Sequence, residues 1–106
     1  MPETYTSGVW TPKPGEEDEF LAAWTEFARW GSGFDGAGPF RLLRDLREEG
    51  RFLSMVPWES MDAVRGWKDS PEFKPHMSRV QQHVAEFAPT ELELVTTVER
   101  GRVEAA

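Results

Sequence analysis

The sequence predicts an α+β domain, with one four-stranded antiparallel sheet and helices packed on a single face of it. Three observations predict it. Stretches of period two and of period 3.6 alternate along the chain in the order strand, helix, strand, strand, helix, strand. Prolines and glycines stand where one period gives way to the next. The strand candidates also carry apolar residues on both faces, which sets the number of layers needed to cover the sheet.

Residues 5–11 read as the first strand, closed by Pro12, Pro14 and Gly15. A helix over 16–30 follows. Glu16, Glu17, Asp18 and Glu19 fill its first turn, where negative charge suits the positive end of the helix dipole. Phe20, Trp24 and Phe27 fall on one face, widened by Ala23 and Trp30. Gly31, Gly33, Gly36, Gly38 and Pro39 make the next loop. It follows a helix and does not lead into one, so it is not a phosphate loop. Residues 40–46 and 51–58 read as a hairpin turning at Glu48-Glu49-Gly50. Ser60 can cap a short helix over 61–67. Pro75 would disturb an established helix, so an isolated turn is expected at 71–74 and the main helix from Pro75 onward. Phe73, Met77, Val80, Val84 and Phe87 keep one helical face, and Pro89 ends it. Residues 91–99 read as the last strand, and the polar tail 100–106 as frayed.

This order is the split-βαβ, ferredoxin-like pattern in one domain, with its core over about 5–99. Two helices cover only one face of four strands. Leu43, Leu53, Met55 and Val95 stand out of phase with the other apolar residues of their strands. The second face therefore needs a cover, and a second copy of the chain, joined sheet to sheet, is the economical one.

Composition narrows the chemistry. A chain of 106 residues makes one domain. It has no cysteine, which excludes disulfides, thiolate metal sites and cysteine nucleophiles. A net charge of −7 argues against nucleic acid as a partner. No apolar run approaches the roughly 20 residues of a membrane span. The start lacks the basic and apolar regions of a signal peptide, so the cytoplasm is the expected location. There is no Ser-His-Asp pattern, metal-ligand cluster or dinucleotide fingerprint. Five tryptophans and seven phenylalanines are the surplus, suited to a core, an interface or a pocket for a flat ligand.

The candidate site residues are few. Trp67 either seals its helix onto the sheet or walls a pocket. His76, near the expected start of a helix, would be held neutral by the positive helix end. It lies about 60° from the centre of the apolar face at 100° per residue, where it can line a cavity edge. His83 lies two turns on, about 10 Å away, too far to share one ion with His76, and reads as surface. Asp62, early in its helix, is explained by the dipole alone or has a chemical role. Arg44 would pair with an anionic substrate or, the favoured reading, with an acid across a dimer.

The pattern Trp58-Glu59-Ser60, Trp67, Ser70-Pro71-Glu72-Phe73 and His76 resembles the antibiotic biosynthesis monooxygenase (ABM) family. So do Lys13-Pro14-Gly15 and Phe40-Arg41-Leu42-Leu43-Arg44. The resemblance covers about residues 5–99. It implies a dimeric α+β barrel whose pocket lies between helices and sheet, under the first helix. One branch implies a cofactor-independent monooxygenase, in which a flat aromatic polyketide-like substrate (an anthrone or hydroquinone) supplies the electrons for dioxygen. Trp67 matches the important Trp of that branch, and Asp62 lies near where it carries an Asn. A second branch implies haem binding or degradation, with His76 as iron ligand, Trp67 beside it and Gly8 at the position of an Asn. A non-catalytic ligand-binding dimer and a cyclase or isomerase use the same barrel. The site expected on this basis has Trp67, His76 and Asp62 as catalytic candidates. Trp24, Phe27, Arg44 and Phe73 are the substrate contacts. No metal or cofactor is expected unless His76 takes haem.

Overall fold

The computed structural model describes residues 3–105. The elements are β1 (Thr4–Pro12), α1 (Glu17–Gly31), β2 (Arg41–Arg44), β3 (Phe52–Trp58), α2 (Met61–Lys68), α3 (Phe73–Gln81), β4 (Val84–Glu93), β5 (Thr96–Glu99) and β6 (Arg102–Ala105). The first four strands to pair form one antiparallel sheet in the order β2-β3-β1-β4. This is the expected α+β, ferredoxin-like arrangement.

Strand alternation decides the inner layer. Thr4, Thr6, Gly8, Trp10 and Pro12 of β1 are buried, as are Phe52, Ser54, Val56 and Trp58 of β3. Phe20, Trp24 and Phe27 of α1 pack on them, with Val64 and Trp67 of α2 and Val80 of α3. Ser60 caps α2 as its sequence predicts, its Oγ accepting from the Ala63 N–H at 3.1 Å. Such a cap stabilises a helix by about 1 kcal/mol.

The outer face is uncovered in the single chain. Val9 stands opposite Leu53 on one side and Ala88 on the other, and Leu53 stands opposite Leu43. An apolar row thus crosses all four strands. Leu43 is 53% exposed, Met55 36% and Leu92 45%.

Five local expectations need correction. The helix does not wait for Pro75; α3 begins at Phe73, and Pro75 lies in its first turn, where an N–H has no intrahelical partner to lose. Nor does it run to Pro89. It ends at Gln81, and Val84–Glu93 pairs with β1. The register shifts between Thr11 and Pro12, so Glu86 faces Thr11 while Val84 faces Pro12. The extra residue is a bulge. It lets Val84 and Phe87 serve the same layer although they are three apart, which imitates a helical spacing. Pro89 is tolerated because β4 is an edge strand.

The strand predicted over 40–46 closes at Arg44, and Leu46 is 92% exposed. Asp45 Oδ1 instead accepts from the Arg47 and Glu48 N–H groups at 2.8 and 3.1 Å, which holds its carboxyl below the usual range. The strand predicted over 91–99 leaves the sheet after Glu93, and its far part joins a tail that is not simply frayed: β5 and β6 form a separate hairpin turning at Arg100-Gly101, with Val95 in the link before it and not on the sheet's outer face.

Gly8 lies where three groups converge. A Cβ there would stand 2.7 Å from Phe87 Cε1, 3.1 Å from Trp10 Nε1 and 3.2 Å from Ser54 Oγ. Trp10 and Phe87 stack with centroids 3.9 Å apart, so the phenyl ring cannot withdraw without breaking the stack. Gly8→Ala is expected to destabilise the fold by about 1–3 kcal/mol. A urea-unfolding midpoint equal to that of the unaltered protein would contradict this packing.

Candidate active site

A cavity of about 250 Å³ lies between the helices and the inner face of the sheet. Trp24 and Phe27 of α1, Phe40, Trp67 of α2, and Phe73 and Met77 of α3 form one side. Thr6 and Trp10 of β1, Ser54 and Val56 of β3, and Phe87 of β4 form the other. The wall is a continuous aromatic network. The Trp67 ring centroid lies 5.0 Å from those of Trp58 and Phe73, and 5.6 Å from those of Phe27 and Phe40. The Trp67 indole N–H is buried and finds no acceptor among the described residues. Its Nε1 lies against the end of α1, 3.1 Å from where a Cβ on Gly31 would stand.

The polar groups are sparse and specific. Trp10 Nε1 donates to Ser54 Oγ at 3.0 Å, and Trp58 Nε1 donates to Thr6 Oγ1 at 2.9 Å. Lys68, the last residue of α2, is the one charged residue in the lining among the described residues. Its Nζ lies 2.9 Å from Glu91 Oε2 on β4, in an ion pair that joins α2 to the sheet edge. A flat aromatic ligand would find stacking surfaces on most sides and a few fixed polar groups to orient it, which is the usual composition of a small-molecule site.

Of the residues the sequence singles out, the structure brings together Trp67, Trp24, Phe27 and Phe73. His76, His83, Asp62 and Arg44 stand apart. His76 stacks on Trp30, with centroids 4.2 Å apart and planes 11° from parallel. Its Nδ1 is 3.4 Å from Arg79 Nη1, and it lines an outer groove between α1 and α3. His83 shares that groove, half-buried, with Nδ1 3.0 Å from Glu16 Oε1. The Asp62 side chain is 92% exposed and pairs with Arg65 one turn on. Arg44 forms its ion pair inside the chain, with Glu17 of α1, and its guanidinium sits 5.0 Å over the Phe52 ring. The pair arises because inward-facing β2 residues meet the start of α1, which periodicity alone does not show.

Sequence reasoning passes over Thr6, Trp10, Ser54 and Lys68 as lining residues. The even register of Thr6, Gly8 and Trp10 on β1 is the signal that could have found two of them. The matching register of Phe52, Ser54, Val56 and Trp58 on β3 marks Ser54 in the same way, and nothing local marks Lys68.

Among the described residues, no group of three or more His, Asp or Glu side chains is arranged to hold a metal ion. A haem site of the kind the resemblance implies would need His76 and Trp67 around one cavity. They line different ones, and Trp30 covers a face of the imidazole, so the residues do not fit that group.

Comparison with known proteins agrees with this architecture. The structure of SnoaB, a cofactor-independent oxygenase from Streptomyces nogalater, superimposes with a TM-score of 0.78 at 20% identity, covering 87% of this chain and 92% of that one. A conserved protein from Methanosarcina mazei gives 0.78 at 13% identity, over 87% and 92% of the two chains. Rv0793 from Mycobacterium tuberculosis gives 0.73 at 16%, over 85% and 92%. At these identities the likeness shows the fold. No curated protein sequence matches the chain. The family described as antibiotic biosynthesis monooxygenase matches residues 6–79, so the chain belongs to the ABM family.

Proposed function

We propose that this protein is a cofactor-independent monooxygenase that oxidises a compact, flat, electron-rich aromatic in the cavity between its helices and sheet. The observation that carries the reading is the cavity wall: Trp10, Trp24, Phe27, Phe40, Trp67, Phe73 and Phe87 surround a space whose only charged group, among the described residues, is Lys68. Such a wall excludes water and holds a ring system by its faces. Family membership and the fold shared with a cofactor-independent oxygenase support the same reading. For an anthrone, the ring methylene would lose two hydrogens. One oxygen atom of dioxygen becomes the new carbonyl, and the other leaves as water with those hydrogens. The substrate supplies the electrons, and the protein's task is to orient the ring and favour its deprotonated form. The cavity is at the small end of ligand sites, which run to roughly 300–1,000 Å³, so a compact substrate fits best.

The working unit in this reading is a homodimer joined through the outer sheet face. The row Ala88, Val9, Leu53 and Leu43 supports it, because water contact along such a row is costly and a two-fold partner removes it. Among the described residues no helix is long and apolar enough to cross a membrane.

Two measurements test these readings. An oxygen electrode should record faster oxygen uptake with anthrone in the presence of the protein than in buffer. Trp67→Phe should lower kcat/KM roughly 10- to 100-fold, because the ring loses its seat while the wall stays apolar. No acceleration by the unaltered protein with anthrones or hydroquinones sinks the oxygenase reading. Separately, sedimentation should give twice the chain mass for the unaltered protein and the chain mass for Leu53→Asp. A mass unmoved by that substitution would sink the sheet-face dimer.

A further inference from the structure

We infer that the Thr6 and Ser54 hydroxyls form a paired donor site for acceptor oxygens of the ligand, a ring carbonyl or the oxyanion derived from it. The inference rests on the proposed use of the cavity as the substrate site. An indole N–H can only donate. Ser54 Oγ therefore accepts from Trp10, and Thr6 Oγ1 accepts from Trp58. Each hydroxyl keeps one hydrogen to give. Among the described residues, neither gives it to a protein acceptor, although Thr6 and Ser54 are 8% and 7% exposed and both line the cavity. The two tryptophans thus settle the polarity of the hydroxyls and leave donors at the cavity surface. Thr6 stands opposite Val56 and Ser54 opposite Gly8, so they are diagonal neighbours on one face with no side chain at Gly8 between them. Both sit on strands of the central sheet, so the donors are held in place before any ligand arrives. Preorganised donors of this kind stabilise negative charge on oxygen in a dry site far better than water does. An aromatic ketone or hydroquinone whose oxygen gains charge on deprotonation is the class they suit.

The test compares two flat sulfonates by quenching of tryptophan fluorescence: anthraquinone-2-sulfonate, which has ring carbonyls, and anthracene-2-sulfonate, which has none. The unaltered protein should bind the quinone about tenfold more tightly, as two net hydrogen bonds of modest strength imply. Ser54→Ala and Thr6→Val should each reduce that preference to about threefold, and Thr6→Ser should restore it. Both truncations leave an indole N–H without its acceptor, so folding is checked by near-UV circular dichroism. If either variant fails to fold, the unaltered protein decides alone: the C=O stretch of the bound quinone should move to lower wavenumber than in an apolar solvent. Equal or absent binding of the two sulfonates, an unmoved C=O stretch, or a preference that survives in both folded variants overturns the paired-donor site. Neither the fluorescence nor the C=O measurement needs turnover. Quinone preference without oxygen uptake would sink the oxygenase and keep the site, and uptake indifferent to Thr6 and Ser54 would do the reverse.

Discussion

Two indole N–H groups buried against the sheet shape the rest of this structure. A tryptophan brings a large apolar area into a core at least cost when its single donor finds an acceptor, because an orphaned donor costs about 1–3 kcal/mol. Trp10 and Trp58 meet that requirement through Ser54 and Thr6, one hydroxyl on each of the two central strands. The bonds cross between β1 and β3 at two levels and fix both rings on the inner face of the sheet. Phe87 then stacks on Trp10, and Trp67 packs on Trp58. The aromatic wall of the cavity is built outward from these two anchored rings.

The same bonds explain how a polar pair survives in an apolar cavity. Thr6 and Ser54 are present because the tryptophans need them, and their remaining hydrogens are a by-product of that need. Gly8 completes the arrangement, since a side chain there would collide with Phe87 and crowd Ser54. Structural demand and binding capacity thus meet in the same atoms. Trp67 is the contrasting case. Its N–H finds no acceptor among the described residues and lies against Gly31. Its contribution to the cavity is the face of its ring.

The sheet divides the molecule's tasks between its faces. The inner face holds the aromatic core and the cavity. The outer face carries the row from Ala88 to Leu43, which one chain leaves in water. Helix burial on one side and an apolar surface on the other follow from one alternation of side chains along each strand.

That alternation is what the sequence by itself determined. The order of strands and helices, the apolar outer face, the Ser60 cap and the apolar faces that carry Trp24, Phe27 and Phe73 follow from local period and residue type, while the gathering of these three with Trp67 around one pocket is implied by the family resemblance. Tertiary structure decided the rest. Val84 and Phe87 keep a helical spacing, but β1 offers an open edge, and a bulge lets both residues face inward from a strand. Pairing with that edge satisfies a run of backbone groups, buries Val84 and packs Phe87 against the core, so the strand prevails over the local period. His76 has the type and spacing of a site residue, yet the start of α3 and the position of Trp30 turn it to an outer groove. Lys68 and Glu91 are 23 residues apart and meet only because β4 lies beside β1. Thr6 and Ser54 become donors only when two tryptophans from elsewhere in the chain claim their lone pairs. No local pattern encodes a hydrogen bond between residues 44 or 52 positions apart; the sheet register creates it.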